Sequence, residues 1–284
     1  MKILVTGVNG QLGYDVCRIL SDRGMEHRGV DVADFDLTDP AAVQGYLAAY
    51  RPDAVIHCAA YTAVDQGEDD PARMLAVNAD GTRFLAEAAA QLGAKLLFVS
   101  TDYVFAGNGT TPYRPEDPTA PLSAYGHSKV LGEEAVRSLL PTHFIVRTSW
   151  VFGINGNNFV KTMLRLAQTR DELTVVCDQI GSPTYSYDLA GLLCDMIASD
   201  RFGTYHATNE GLCSWAEFAA EIMRQSGKKT VIRPIPAAEY PSRAKRPYNS
   251  RLSKDKLTEN GFLRLPDWKD ALSRFLKEIE EAAR

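Results

Sequence analysis

Hydrophobic and polar positions alternate along the first 150 residues in a rhythm typical of a parallel β-sheet flanked by helices. Short apolar or β-branched runs, which favour strands, are separated by longer stretches with helical spacing. The predicted strands span residues 2–5, 27–32, 54–57, 96–100 and 143–147. The predicted helices between them span residues 11–23, 40–50, 73–92 and 124–139. This alternation predicts an α/β protein with a doubly wound parallel sheet.

After residue 150 the alternation of strand and helix patterns becomes less regular, which indicates a second domain with a different architecture. Helices are predicted at 158–169, 187–199, 214–226 and 267–283, and a strand at 203–207 is expected to rejoin the first sheet. We therefore predict two domains. Residues 1–150, rejoined by about 186–208, form the first, and residues 151–284 mainly form a smaller, discontinuous α/β domain.

Three spaced glycines follow the first strand directly and suggest what that domain binds. Gly7, Gly10 and Gly13 form a G-x-x-G-x-x-G pattern between the strand and the first helix. In a dinucleotide-binding βαβ unit, such glycines allow a sharp turn, a close approach of backbone to a pyrophosphate, and close packing of helix on strand. The bare N–H groups of the helix start then face the phosphates. We therefore predict a Rossmann-type, NAD(P)-binding domain, with Gln11 and Leu12 of the same loop also at the cofactor.

Other strand ends offer further candidates for the same cofactor. Asp31 closes the second strand, where a carboxylate reaches the ribose hydroxyls of the adenosine half or is simply solvated. Arg28 is a possible partner for a 2′-phosphate, so both NADPH and NADH stay open. The remaining predicted cofactor contacts are Asp36, Leu37, Ala59, Ala60 and Tyr61.

Composition and charge narrow the class of partner. The chain has 284 residues, 45% hydrophobic and 24% charged, with a net charge of −5. That charge argues against nucleic-acid or membrane-surface binding through bulk electrostatics. The chain starts directly with a strand pattern and has no long apolar run, so a cytoplasmic location is expected. Its five scattered cysteines resemble small buried hydrophobes rather than disulfides or zinc ligands.

The strongest chemical signal is the pair Tyr125 and Lys129, four residues apart on one face of a predicted helix. A tyrosine used as an acid or base needs a suitable pKa, and a nearby ammonium lowers it by favouring the phenolate. The lysine can also hold the nicotinamide ribose. Thr101, at the end of an earlier strand, can hold a substrate oxygen beside the tyrosine. We predict Thr101, Tyr125 and Lys129 as catalytic residues.

These motifs resemble the extended short-chain dehydrogenase/reductase superfamily and, within it, the dTDP-4-dehydrorhamnose reductase family. The first-half motifs are shared across the superfamily. The segments specific to the narrower family are those around Trp150, Asn157 with Asn158, and 178–184, and the resemblance continues through 246–250. It implies a nucleotide-sugar substrate whose C4 ketone is reduced by NADPH or NADH, with Tyr125 as the general acid. The implied substrate contacts are Thr101, Asp102, Tyr103, Trp150, Asn158 and Arg246.

The position of Tyr103 distinguishes reduction from dehydration within this superfamily. Related sugar-nucleotide 4,6-dehydratases carry an acidic residue there, so Tyr103 favours simple carbonyl reduction. Two alternatives remain open. One is a reductase or epimerase of another nucleotide sugar, and the other is a non-catalytic subunit like the regulatory subunit of a methionine adenosyltransferase.

The resemblance also raises the question of a metal and of oligomeric state. Some relatives are reported to dimerise through magnesium held by acidic side chains, and Asp15 and Asp188 are the candidates here. Both are one methylene shorter than glutamate, so we favour ordinary carboxylates and predict no metal residue, which leaves Mg²⁺ doubtful. A monomer or a homodimer is expected.

Overall fold

The computed structural model describes residues 1–282 and contains 14 strands and 11 α-helices within that range. The strands are β1 Ile3–Thr6, β2 His27–Val30, β3 Ala54–His57, β4 Lys95–Thr101, β5 His143–Thr148, β6 Val151–Phe152, β7 Glu172–Val176, β8 Ile180–Gly181, β9 Thr184–Tyr185, β10 Gly203–His206, β11 Asn209–Glu210, β12 Cys213–Ser214, β13 Val231–Ile235 and β14 Leu265–Asp267. The helices are α1 Gln11–Asp22, α2 Pro40–Tyr50, α3 Val64–Asp69, α4 Pro71–Leu75, α5 Gly81–Leu92, α6 Ala124–Leu139, α7 Phe159–Leu166, α8 Ser186–Ile197, α9 Trp215–Gln225, α10 Asp255–Glu259 and α11 Trp268–Ala282. The last residue of the helix predicted at 267–283 lies outside the described residues.

Six parallel strands form the central sheet in the order β10-β5-β4-β3-β1-β2. Successive side chains of β1 point to opposite faces of it: Ile3 and Val5 pack with α1 and α8, whereas Leu4 packs with α2 and α5. This period-2 division buries the sheet on both faces, as expected for a doubly wound fold. The predicted fold class is confirmed. The strand predicted at 203–207 is present as β10, paired with β5.

The helix predicted at 73–92 is wrong in its first half. The structure has the short α4, then a π-turn over Ala76–Asp80, and only then α5. Spacing of apolar residues does not reveal a π-turn, because the turn inserts one residue without changing composition. As shown below, this turn presents Asn78 to the site.

A second hydrophobic cluster gathers the later elements. Phe218 of α9 and Phe275 of α11 are fully buried there with Phe152, and β7 pairs with β13 beside them. The small two-stranded ladders of this region are too short and irregular to be read from alternation, and β7 and β13 were not predicted. The division into two domains remains our prediction. No helix within residues 1–282 combines the length and the apolar composition needed to cross a bilayer.

Candidate active site

One cavity of about 750 Å³ opens at the carboxyl ends of β1 to β5. Thr6, Asp31, Cys58, Thr101 and Thr148 lie at or just beyond the ends of these five strands and line it. The chain order of the sheet reverses between β1 and β3, and ligands of open α/β sheets bind at such a switch point. The topology alone therefore makes this cavity the candidate active site.

The glycine loop forms the base of the cavity as predicted from its spacing. Gly7 has φ +74°, and a Cβ there would lie 2.6 Å from the backbone of Ala59. A Cβ on Gly13 would lie 2.3 Å from the carbonyl oxygen of Gly7, so α1 packs directly on the loop. Gly10 is the N-cap of α1, and Gln11 and Leu12 begin that helix along the cavity. Gly7 and Gly13 therefore cannot gain a side chain unless the backbone moves, and the open cradle they form fits a pyrophosphate.

At the end of β2, Asp31 lines the cavity together with Asp36 and Leu37. The Asp31 carboxylate accepts hydrogen bonds from the backbone N–H of Asn9, at 2.9 Å, and from that of Val32. It therefore ties β2 to the glycine loop. Thr38 donates both its N–H and its hydroxyl to Asp36, which lowers the pKa of that carboxyl.

Arg28 does not reach this part of the cavity, so our suggestion of a 2′-phosphate partner is wrong. It lies near the opposite end of β2, and its guanidinium is 4.6 Å from the ring centroid of Tyr50. The reason is geometric, because a strand advances about 3.3 Å per residue and Arg28, the second residue of β2, lies three residues before Asp31.

Ala59, Ala60 and Tyr61 line the cavity beyond β3, and Asn78 holds the backbone of Tyr61. The Asn78 side chain accepts a hydrogen bond from the Tyr61 N–H (2.8 Å) and donates one to the Tyr61 carbonyl (3.0 Å). It also donates to Ser128 of α6 at 3.0 Å. Sequence reasoning missed Asn78, because its role depends on the π-turn.

Thr101, Tyr125 and Lys129 all line the same cavity. The α6 helix begins as predicted, since Ser123 accepts a hydrogen bond from the Gly126 N–H at 3.1 Å. Burial raises the pKa of Tyr125 above its usual value, and the Thr101 hydroxyl beside it acts in the opposite direction. The expectation that Lys129 lowers the pKa of Tyr125 is therefore wrong for this arrangement, in which desolvation prevails.

Lys129 is itself 2% exposed, and its ammonium lies 3.9 Å from the centroid of the Phe98 ring. Desolvation lowers the pKa of Lys129 to about 7, while Glu133 one turn further along α6 favours its charged form. Glu133 is buried and paired with Arg147 of β5 at 2.7 Å. This ion pair fixes α6 to the sheet directly behind the lysine.

The opposite side of the cavity carries Asp102, Tyr103 and Arg246. Burial raises the pKa of Asp102 to about 6, although Ser250 donates a hydrogen bond to it at 2.5 Å. Arg246 donates to the Tyr103 hydroxyl at 3.2 Å and to the carboxylate of Asp65 at 2.6 Å. Arg246 thus brings a positive charge to the cavity from a segment nearly 150 residues after Tyr103.

Trp150 lines the cavity with its backbone in the left-handed region, at φ 52°. A bulky residue rarely adopts this conformation, and strain of this kind is concentrated at functional sites. Its indole stacks on Trp215, with ring centroids 3.8 Å apart and planes inclined by 17°. Trp215 also lines the cavity and was missed by sequence reasoning. The available signal was the capping box of Ser214 and Glu217, which places residue 215 in the first turn of α9.

Asn158 is the predicted substrate residue that the structure does not bring into the cavity. It caps α7 by accepting a hydrogen bond from the Lys161 N–H, and its amide donates to the Gln11 side chain at 3.0 Å. Its polar atoms therefore orient Gln11 and cap α7, and its contact with substrate stays a prediction.

Asp15 and Asp188 are each engaged by an arginine. Arg18 donates to Asp15 at 2.8 Å, and Arg274 donates to both oxygens of Asp188, at 2.6 and 2.7 Å. Within residues 1–282 no three His, Cys, Asp or Glu side chains are grouped so as to hold a metal ion.

A doubly wound sheet, a glycine loop at its switch point and a Tyr–Lys pair on α6 define the class. The chain is an oxidoreductase of the extended short-chain dehydrogenase/reductase type. The model of the family described as "RmlD substrate binding domain" matches residues 1–281. The chain belongs to that family, which confirms the relationship expected from its motifs.

Named relatives agree with this assignment. The chain is 43% identical to the spore coat polysaccharide biosynthesis protein SpsK of Bacillus subtilis, with 99% of each chain covered. It is 42% identical to a dTDP-4-dehydrorhamnose reductase of Sinorhizobium fredii, with 97% of each covered. Its fold matches the crystal structure of the dTDP-4-dehydrorhamnose reductase of Bacillus anthracis in complex with NADP, with a TM-score of 0.95 and 42% identity over 98% of this chain and 99% of that one.

Proposed function

We propose that the chain reduces the C4 ketone of dTDP-4-dehydro-β-L-rhamnose to the alcohol of dTDP-β-L-rhamnose, using NADPH or NADH. The observation that carries the proposal is the meeting of the glycine loop with Thr101, Tyr125 and Lys129 in one cavity. The substrate class comes from the family membership and from the names of the relatives. The product is a building block for polysaccharides, in keeping with the name of the Bacillus subtilis relative.

The cavity fits a nicotinamide dinucleotide because backbone, rather than side chains, forms its base. The pyrophosphate is assigned to Gly7, Gly10 and Gly13, whose missing Cβ atoms leave the cradle open. Gln11 and Leu12 lie at the same helix start. The adenosine half is assigned to Asp31, Asp36 and Leu37, and the nicotinamide half to Ala59, Ala60 and Tyr61. When bound, the reduced nicotinamide supplies the hydride.

Tyr125 is assigned as the general acid that donates its phenolic proton to the C4 oxygen. With its pKa raised by burial, the phenol keeps its proton at neutral pH and can donate it when the oxygen gains charge. Thr101 orients that oxygen by a hydrogen bond that strengthens as the charge develops. Lys129 is assigned to the nicotinamide ribose. Its burial over the Phe98 ring holds the ammonium in one place.

The other side of the cavity is assigned to the nucleotide sugar. Arg246 supplies a positive charge for the diphosphate, and it is already held by Asp65. Asp102, Tyr103 and Trp150 surround the sugar. Among these, Tyr103 provides a hydroxyl rather than a carboxylate, which supports reduction without loss of water.

The test is oxidation of NADPH and of NADH by the purified chain with dTDP-4-dehydro-L-rhamnose, with and without magnesium, and with identification of the product. Turnover to dTDP-rhamnose is expected with the wild-type chain. Tyr125→Phe should lower kcat by about 10²–10⁴-fold, because the proton donor is lost. Its affinity for NADPH should change little, since the ring remains.

Three results would contradict the proposal in different ways. An unchanged kcat in Tyr125→Phe would remove the assigned acid. Turnover only with another nucleotide sugar would replace the substrate. Tight binding of cofactor and dTDP without any turnover would favour the regulatory-subunit alternative.

A further inference from the structure

A buried histidine outside the proposed catalytic set lies between two threonines below the cavity. His57 closes β3 and is 1% exposed. Its Nδ1 is 2.7 Å from the hydroxyl of Thr6 on β1, and its Nε2 is 3.1 Å from the hydroxyl of Thr82 on α5. Its ring is stacked on Phe98, the same ring that carries the Lys129 ammonium. The proposed mechanism gives His57 no task.

The neighbouring bonds determine the direction of each hydrogen bond to His57. Thr82 donates its single hydroxyl proton to the carbonyl of Asn78, at 2.7 Å, so it must accept from the His57 Nε2–H. Thr6 accepts from the Ala59 N–H at 3.3 Å and donates to Nδ1. The opposite tautomer would break the bond to Asn78 and leave the Thr6 proton with no acceptor among the described residues.

The chain of hydrogen bonds continues from Asn78 to the catalytic helix. The Asn78 side chain holds Tyr61 on both its N–H and its carbonyl, and it donates to the Ser128 hydroxyl at 3.0 Å. Ser128 donates in turn to the carbonyl of Tyr125 at 2.8 Å. The chain therefore connects two pieces of the cavity wall, the Ala59–Tyr61 segment and the first turn of α6.

We propose that His57 is a positioning residue, fixed as its neutral Nε2–H tautomer, that aligns the dinucleotide-facing segment after β3 with the helix that carries Tyr125 and Lys129. The hydrogen-bond network has five polar side chains, and each is at most 2% exposed: Thr6, His57, Asn78, Thr82 and Ser128. In such surroundings an unpaired donor or acceptor is costly, so this hydrogen-bond network has a single arrangement. The position of the segment after β3 is therefore coupled to that of α6. This inference rests on the proposed function for its kinetic consequence only.

The electrostatics of the site support a neutral ring. Burial and the nearby Lys129 both lower the pKa of His57, to about 3. A protonated His57 would be a second buried cation beside Lys129. It would have no carboxylate partner, because Glu133 is already paired with both Arg147 and Arg137. His57 can therefore act through geometry without exchanging a proton during the reaction.

The first test is the tautomer, measured by long-range ¹⁵N–¹H NMR on the full chain with labelled histidine. The signal that disappears in His57→Gln identifies the residue among the five histidines. We expect an Nε2–H pattern that does not change between pH 6 and pH 9. An Nδ1–H pattern, or an imidazolium in that range, would overturn the proposal.

The second test separates alignment from stability. In His57→Leu both contacts are lost, and we expect kcat to fall by about ten- to hundredfold through misplacement of reacting groups. His57→Gln keeps an N–H for Thr82 and should retain kcat within about threefold. Leu47→Ala, in a fully buried position on α2, is the control, which should lose thermal stability and keep kcat.

Direct NADPH titration keeps this test independent of the substrate. We expect His57→Leu to bind NADPH more weakly than Leu47→Ala does, even when the two variants are compared at the same distance below their melting temperatures. Wild-type kcat and NADPH affinity in His57→Leu would overturn the proposal. If the wild-type chain does not reduce the dTDP sugar, the proposed function fails, but the tautomer and the titration still decide the role of His57.

Discussion

Two walls of the cavity are built in opposite ways. The glycine wall consists of Gly7, Gly10, Gly13, Ala59 and Ala60, and it exposes mostly backbone. The aromatic wall consists of Tyr103, Trp150, Trp215 and Arg246, and it exposes large side chains from four separate segments. The first is fixed by strand ends within one sheet, and the second by tertiary contacts between distant parts of the chain. A substitution in the glycine wall should therefore change cofactor binding, and one in the aromatic wall should change binding of the nucleotide sugar.

Of the substitutions in the two walls, Gly13→Ala should have the larger effect, and it should act on the glycine wall. The new Cβ would lie 2.3 Å from the Gly7 carbonyl oxygen, and backbone must move to relieve the overlap. Overpacking of this kind costs about 1–3 kcal/mol. We expect NADPH affinity, measured by fluorescence titration, to fall by about tenfold or more.

Gly45→Ala is the matched control. Gly45 lies within α2, and a Cβ there meets nothing within 4 Å. The same substitution should stabilise this helix by up to about 1 kcal/mol and leave cofactor binding unchanged. If the two variants bind NADPH equally well, the glycine wall does not hold the dinucleotide.

Trp215→Ala should have a smaller effect, confined to the aromatic wall. It removes the stack that supports Trp150 in its left-handed conformation. We expect KM for the nucleotide sugar to rise by about tenfold, as for loss of a well-packed aromatic contact, while KM for NADPH stays within about twofold.

Steady-state kinetics with each substrate varied in turn provide the measurement. Trp268→Phe is a suitable comparison, because Trp268 is buried in the second cluster outside the cavity. It should lower the melting temperature without a selective change in KM. Equal changes of both KM values in Trp215→Ala would show that the walls are not independent.

A separate prediction concerns the pH dependence of stability at Lys129, which also lines the cavity. Its pKa is lowered from 10.5 to about 7, so the unfolded chain binds more protons than the folded chain between these values. Stability from this group must therefore increase as pH rises from about 7 to about 10.5, by at most about 1.4 kcal/mol per pH unit.

Lys129→Met should lack that increase while keeping the aliphatic stem. Urea unfolding at several pH values, compared between the two proteins, isolates the contribution. A constant difference across this range would show that Lys129 is solvated and freely charged in the folded protein.

The contrast between the walls also explains which cavity residues could be predicted from the sequence. The glycine wall and the α6 residues follow local patterns, so spacing, strand ends and the Ser123 cap were sufficient to place them. Trp215 and Asn78 reach the cavity through a stack and a π-turn, and a capping signal places Trp215 on a helix without showing what the indole packs against. Asn158 belongs to a recognisable motif, yet its amide points at Gln11, because capping and cavity lining cannot be separated by residue type.

The stacked indoles have a practical consequence for spectroscopy. The chain has three tryptophans, and two of them, Trp150 and Trp215, face each other across 3.8 Å at the cavity. Indoles this close couple their strong electronic transitions, which gives a paired signal in far-ultraviolet circular dichroism that Trp268, which packs on Phe218 rather than on another indole, does not produce. The molecule thus contains an intrinsic optical reporter located at its cavity, so the arrival of a ligand can be followed without any added label.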